Sequence, residues 1–421
     1  MKQVMRNEWF VVLSLLACLS TDLKSQTNFI WGRQFGSDKE EVSFNTAVDE
    51  SGNVYIAGYT NGILGDRNFG KSDGFVTKLD STGNILWTKQ LGTNEDDQIN
   101  WITTDGNGNV YVTGFTRGTL GEKAFGKEDV IVVKLDRAGI VDWQKQFGTD
   151  SSDVGNGVYV DHRGNVFVSG NTKGLFGDSL SGKTDCFFLK LDNKGNKEYV
   201  CQFGTSQDET CSGITGDASS NIYLCGATFG DLGARNKGKM DAFVAEFSGQ
   251  AKPVRIVQFG TDDYDMASEA VVDKEGNVYI GGSTGGNLGG PQQGEGDCFL
   301  AKMSGNGKML WTNQFGTAHW DGILGIGMDR GISGNIIVSG CQRWPECQSF
   351  IRMFKKDGSL LFVSNRVATG KYGGTCGKGV CIDANGNIYH TGMTGGNLFG
   401  PSQGEHDIFV VKLGMEEVQI K

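Results

Sequence analysis

DQINWITTDGNGNVYVTGFTRGTLGEKAFGKEDVIVVKLDRAGIVDWQKQFGT, residues 97–149, is the stretch whose reading decides the fold. It divides into four short runs of β-branched and aromatic residues: Asp97 to Thr104, Val110 to Thr116, Asp129 to Asp136 and Val141 to Phe147. Between them lie the turn Asp105-Gly-Asn-Gly-Asn109, a glycine-rich loop holding Leu120-Gly121 and Gly126, and the turn Ala138-Gly139. Short runs of this composition, bounded by Gly, Asn and Asp, read as strands joined by hairpins. No helical period competes with that reading. Four antiparallel strands in a unit of about 50 residues predict one blade of a β-propeller.

The unit is copied along the chain. Gln-Phe-Gly returns at Gln34, Gln90 (there followed by Leu91), Gln146, Gln202, Gln258 and Gln314, a step of 56 residues every time. The turn that opens the second strand counts the blades: Gly52-Asn53, Gly108-Asn109, Gly164-Asn165, Ser220-Asn221, Gly276-Asn277, Gly334-Asn335 and Gly386-Asn387, seven in all. The last two steps are 58 and 52, so the sixth blade is irregular. Phe29-Ile-Trp-Gly-Arg-Gln-Phe-Gly36 is a fourth-type strand with no blade ahead of it, and Ile408 to Leu413 is a third-type strand with no fourth after it. The two complement each other. The expected fold is all-β: a seven-bladed β-propeller over residues 28–414, four antiparallel strands per blade, with the N-terminal strand closing the last blade and removing open edges. Residues 415–421 are read as a tail.

Composition bounds the function. The chain has 421 residues with 66 glycines and 4 prolines, a net charge of −10 and no Lys/Arg run, which argues against a nucleic-acid partner. Residues 1–25 hold Lys2 and Arg6, then an apolar stretch from Trp9 to Leu19, then polar residues, the layout of a secretory signal peptide and too short for a membrane span. Leu15-Leu16-Ala17-Cys18 also resembles a bacterial lipoprotein box, in which Cys18 would carry the lipid. A secreted, extracellular protein is expected, or one tethered at its N-terminus, with no membrane span elsewhere. Nine cysteines remain beyond Cys18, an odd number, so pairing within one chain is incomplete. His162, His319, His390 and His406 show no ligand spacing.

The recurring patterns Trp-x-x-Gln-Phe-Gly-Thr, Asp-x-x-Gly-Asn-Val-Tyr-Val-x-Gly-x-Thr and Gly-Lys-x-Asp-x-Phe-Val-x-Lys-Leu-Asp resemble the seven-bladed β-propeller repeat (SBBP repeat) family over about residues 29–413. The resemblance implies the propeller fold and a secreted or cell-surface setting. It implies no activity, because propellers host lectins, adhesion modules, hydrolases and lyases alike.

Residues that recur from blade to blade are read as scaffold. Asp73, Asp129, Asp185, Asp241, Asp297 and Asp407 open the third strand, where a carboxylate accepts N–H groups of the loop before it. Asp49, Asp105, Asp161, Asp217, Asp273 and Asp383 precede the Gly-Asn turn. Asp105-x-Asn107-x-Asn109 resembles the opening of a calcium loop but lacks a Glu at the twelfth position. No cofactor is expected, and calcium is the one ion considered. Glu41, Asp97, Asp153, Glu209, Asp265 and Asp321 begin the first strands and have two readings: an acidic ring at one channel mouth able to hold a metal, or caps of their own turns.

Departures from the repeat are read as candidate contacts. Blade six carries Cys341-Gln-Arg-Trp-Pro-Glu-Cys347, a loop that a disulfide between Cys341 and Cys347 would close, presenting Arg343, Trp344 and Glu346. Blades five and seven share a loop that offers Gln293 and Glu295, and Gln403 and Glu405. Cys211 and Cys225 are placed symmetrically about a turn in blade four and either pair or pack. There is no His-Glu-x-x-His. The reading is a binding or structural scaffold for an extracellular protein or glycan. The alternative is an extracellular enzyme acting on a carbohydrate or other small molecule in the acidic channel mouth.

Overall fold

The computed structural model describes residues 27–250, 252–329, 331, 333–344, 346–366 and 374–415. The expected signal segment with Cys18, and residues 416–421 of the tail, lie outside the described residues. Within them there are 28 strands and no helix, arranged as seven antiparallel sheets of four. Blade one is typical: β2 (Glu41–Val48), β3 (Val54–Thr60), β4 (Asp73–Leu79) and β5 (Ile85–Leu91), hydrogen-bonded in that order. The middle strands β3 and β4 are almost wholly buried between neighbouring blades, whereas β5 is half-exposed at the rim. Buried Val, Ile, Tyr and Phe from adjacent blades fill these interfaces; Tyr55, Val76 and Ile102 share one such cluster. Trp87 at the rim stays half-buried, tilts against Tyr55 and donates its indole N–H to Arg137 O in the next blade.

The seventh sheet contains both ends of the described chain. Its order is β1 (Thr27–Phe35), β28 (Asp407–Met415), β27 (Ile388–Thr394) and β26 (Thr375–Ile382), with Gln34 opposite Phe409. The N-terminal strand therefore completes the last blade, as the complementary end strands predict.

The repeated turn is built on its aspartate. Asp49 Oδ1 accepts the N–H groups of Ser51 and Asn53 at 3.0 and 2.9 Å, and Oδ2 accepts Asn53 Nδ2 and Tyr55 Oη at 2.8 and 2.9 Å. Gly52 stands at φ +77°, where a side chain is costly. Asp105 Oδ1 likewise accepts Asn107 and Asn109 N–H, and its Oδ2 accepts Asn109 Nδ2 and Tyr111 Oη.

Gln-Phe-Gly is the junction between blades. Gln90 Oε1 accepts the N–H groups of Leu64 and Gly65, both at 3.1 Å, while its Nε2 donates to Gly62 O at 2.9 Å and Asp73 Oδ2 at 2.8 Å. One amide thus pins the glycine-rich loop to the start of β4. A Cβ on Gly92 would overlap Asp73 Oδ1, an oxygen with no other partner, so the carboxylate rests against the glycine Cα–H. The chain then crosses to blade two, where Asp97 N donates to Ser72 O at 2.9 Å. The same backbone bond joins Glu41 to His406, Asp153 to Glu128, Glu209 to Thr184, Asp265 to Met240, Asp321 to Gly296 and Thr375 to Cys347, one at every junction of the ring.

Gln34 makes the closing version of this clamp. It binds Leu398 N, Phe399 N, Gly396 O and Asp407 Oδ2 across more than 360 residues of chain. Gln34→Ala is expected to lower stability by about 2–4 kcal/mol, because it strips four partly buried partners including a charge. Gln144→Ala, at the exposed rim with a single bond to Leu120 O, should cost under about 1 kcal/mol. Urea unfolding monitored by circular dichroism measures both, and equal midpoints for the two variants would rule out the clamp as the closure.

Candidate functional site

The six carboxylates that open the first strands are fully buried. Each is bonded inside its own junction: Asp97 Oδ2 accepts Thr93 N and Oγ1 at 2.6 and 2.8 Å, and Glu41 accepts Ser37 N, Ser37 Oγ and Thr60 Oγ1. Asp153, Glu209, Asp265 and Asp321 repeat this cap on Thr149, Thr205, Thr261 and Thr317. No three of these residues bring carboxylate oxygens within 4.8 Å of one another among the described residues. The nearest negative charge to each is the third-strand aspartate of the preceding blade: Gly148 lies between Asp129 and Asp153, and Gly260 between Asp241 and Asp265. Burial, opposed by the hydroxyl and N–H bonds and reinforced by that neighbour, pushes Asp97, Asp153, Glu209 and Asp265 above the usual carboxylate range.

Blade six breaks the pattern, and a cavity opens there. Its inner strands are long: β22 (Trp320–Met328) starts one residue before the acid, and β23 (Ile336–Trp344) overruns the position where other second strands end in Thr. Trp320 and Trp344 become cross-strand partners beyond the normal end of the sheet. They are 37% and 55% exposed, and with Gly322, Leu324, Cys341, Cys376 and Lys378 they line a cavity of about 360 Å³. Gly296 of blade five makes room for the Trp320 ring, since a Cβ there would overlap the indole. Lys378, half-buried on β26, supplies the positive charge, with Nζ 5.9 Å from the centre of the Phe44 ring.

The expected loop is present. Cys341 and Cys347 form a disulfide with Cα atoms 5.5 Å apart. Arg343 takes φ +60°, rare for a side-chain-bearing residue, and its N–H donates to Asp321 Oδ1 at 2.8 Å. Arg343, Trp344 and Glu346 are all exposed, but only Trp344 lines the cavity. Sequence reading missed Trp320, Lys378 and Cys376. Trp320 carried a signal, being the residue just before the repeat-locked acid, where the other blades have Glu40, Asp96, Ser152, Asp208 and Tyr264.

The remaining candidates stay apart from this cavity. Gln293, Glu295, Gln403 and Glu405 are exposed on loops of blades five and seven; the backbone N–H groups of Gln293 and Gln403 cap Asp297 and Asp407. Cys211 and Cys225 are free thiols. A bulge at Ser212 shifts the register, so that Cys211 faces Gly226 and Cys225 faces Gly213, and the symmetry drawn from the sequence is off by one residue.

A second cavity, about 640 Å³, occupies the channel on the side of the Asp-Gly-Asn turns; Trp101, Tyr159, Glu269 and Cys381 are among its lining residues. Glu269 stands on β18 (Asp265–Val272), and its Oε2 accepts Ile326 N at 3.0 Å. Burial pushes its carboxyl up to about 8. The repeat exposes it: the equivalent positions are Asn45, Trp101, Gly157, Gly213 and Gly325, none of them acidic.

The profile of the SBBP β-propeller repeat matches residues 30–65, 86–122, 142–177 and 255–289. The chain is 26% identical over 180 residues to the regulatory protein FlaEY of Caulobacter vibrioides, and 24% identical over 187 residues to an uncharacterized WD repeat-containing protein of Acanthamoeba polyphaga mimivirus. These matches cover 39% and 34% of this chain but only 19% and 13% of those proteins, so the chain spans less than a fifth of either. Among solved structures, the WD40 domain of Neurospora crassa Pan2 superposes with a TM-score of 0.54 at 10% identity, covering 94% of this chain and 98% of that one. A polysaccharide lyase, an ulvan lyase, gives 0.53 at 11% identity over 91% and 96%. At these identities the likeness is one of fold. No helix among the described residues is long and apolar enough to cross a membrane.

Glu269 gives the channel a pH signature. Its folded carboxyl titrates near 8 against an ordinary 4.5, so its contribution to stability is full below about 4.5 and is lost as pH climbs to 8. Glu269→Gln removes that loss. The variant should therefore gain on the wild type between pH 5 and pH 8.5, by on the order of 3 kcal/mol. Urea unfolding of both proteins at the two pH values checks this; a constant difference would mean that the carboxyl titrates normally.

Proposed function

We propose that this chain, a protein built of SBBP β-propeller repeats, works outside the cytoplasm as a rigid binding scaffold, with the blade-six cavity as its contact surface for a glycan or an extracellular protein. The observation that carries the reading is the Trp320–Trp344 pair, two exposed indoles set in register over a cavity that also holds a lysine. Indole faces offer large, rigid, low-entropy contact area, suited to the C–H faces of a sugar or to an apolar anchor of a protein. Cavities of this size with few polar groups are where ligands are held. The secretory layout of residues 1–25 supports an extracellular setting.

The enzyme alternative relied on the six first-strand carboxylates as a reactive ring. Buried and bonded as they are, they lack an open approach for substrate. In repeat proteins the insertions that break the period lie in loops, often on the binding face, and here the period breaks in blade six.

A glycan array probed with the purified protein tests the proposal. Trp344→Ala and Trp320→Ala should each weaken binding at least about tenfold while thermal unfolding stays close to that of the wild type. Binding untouched by both substitutions would move the contact surface elsewhere. Hydrolysis or elimination of a glycan abolished by Asp265→Asn in a folded protein would replace the scaffold reading with the enzyme one.

A further inference from the structure

Three sulfurs meet where blades six and seven join. Cys341, Cys347 and Cys376 bring their Sγ atoms within 4.8 Å of one another, and their residues are 7%, 7% and 4% exposed. Leu324 and Met393 pack on the cluster. Backbone geometry fixes the approach: Thr375 N donates to Cys347 O at 2.9 Å, and Ser349 N donates to Thr375 Oγ1 at 3.2 Å. Cys376 is the next residue, so the bond that joins the two blades also delivers a free thiol to the disulfide. Cys341 and Cys376 both line the 360 Å³ cavity.

We propose that this cluster is a thiol–disulfide exchange site in which Cys376 attacks Cys341. The Cys376 thiolate forms a bond to Cys341 Sγ as the Cys341–Cys347 bond breaks, and Cys347 leaves as a thiolate that takes up the proton Cys376 released. One disulfide and one thiol stand on each side of the reaction, so no outside oxidant or reductant is consumed. Burial holds the Cys376 thiol above its ordinary range, and the nearby Lys378 charge acts in the opposite direction, toward the thiolate.

The product differs from the starting bond in what it ties together. Cys341–Cys347 closes a six-residue separation within blade six. Cys341–Cys376 links β23 to β26, across the junction where the glutamine clamp is degraded: Gln348 and Asn365 hold the register positions that Asp73 and Gln90 hold in blade one. Exchange therefore converts a local loop into a covalent weld between blades and rebuilds one wall of the tryptophan-lined cavity.

Trypsin separates the three cysteines, because Arg343 lies between Cys341 and Cys347, and Arg352 and Lys371 lie between Cys347 and Cys376. The full-length protein is incubated at pH 8, quenched with N-ethylmaleimide, digested without reduction and mapped by mass spectrometry. The wild type should yield a Cys341–Cys376 peptide pair with alkylated Cys347, beside the Cys341–Cys347 form. Cys376→Ser should yield Cys341–Cys347 alone. Cys347→Ser, treated with oxidised glutathione, should carry the Cys341–Cys376 bond in most molecules. A wild type with Cys376 fully alkylated and no bond to it overturns the proposal, as does a Cys347→Ser variant with native circular dichroism that keeps both thiols free. A link from Cys376 to Cys347 instead overturns the choice of Cys341 as the sulfur attacked.

Discussion

The ring depends on a side-chain amide used once per regular junction. The ruler glutamine is planar and bifunctional, so a single residue takes two loop N–H groups on its oxygen and gives its two N–H groups to a carbonyl and a carboxylate. No other side chain of similar length satisfies both requirements: a glutamate could not donate, and a lysine could not accept. The glycine two residues on is forced by the same contact, because the aspartate held by the amide occupies the volume of its Cβ. The arrangement gathers buried carboxylates in pairs at each regular junction, a cost offset by short hydrogen bonds from the amide, backbone N–H groups and hydroxyls. Periodicity in the sequence is the trace of this repeated solution.

Blade six abandons that solution, and its geometry changes accordingly. Once Gln348 replaces the aspartate, the loop before the third strand is tied instead to the first-strand carboxylate of Asp321 through Arg343 N–H, and β23 runs on past the usual end of the sheet. The overrun lifts Trp344 into register with Trp320, and a disulfide restrains the loop that the amide clamp restrains elsewhere. Loss of a scaffold interaction and gain of a cavity are the same event seen from two sides.

Much of this was legible in the sequence. Blade number, closure by the N-terminal strand, the Cys341–Cys347 loop and the prominence of Trp344 all come from counting copies and noticing where a copy fails. What escaped is of a different kind. Glu41 and its equivalents looked available for a ring because a sequence states the residue but not its bonding partner; Thr93, four residues back, and Thr60, on the opposing strand, consume the carboxylates. The offset of Cys211 from Cys225 comes from one bulged residue, which alternation alone does not reveal. Lys378 and Cys376 enter the cavity from a neighbouring blade, and only the closing curvature of the ring brings them there. Glu269 is legible in the sequence, since the ruler isolates an acid where other copies have Asn, Trp or Gly.

Closure by β1 also orders events in time. Gln34 and Asp407 stand 373 residues apart in the chain, yet neither clamp nor sheet is complete until both are present. A chain made or exported from its N-terminus carries its first strand without a partner while six blades assemble beside it, an exposed edge of the kind that invites pairing with another molecule. The last strand to arrive is thus the one that ends this exposure, and the ring becomes a single cooperative body only at that moment. Moving the β1 segment to a place after β28 would keep every contact of the finished disc while abolishing the wait. Topology here governs less what the protein is than how long it stays vulnerable before becoming it.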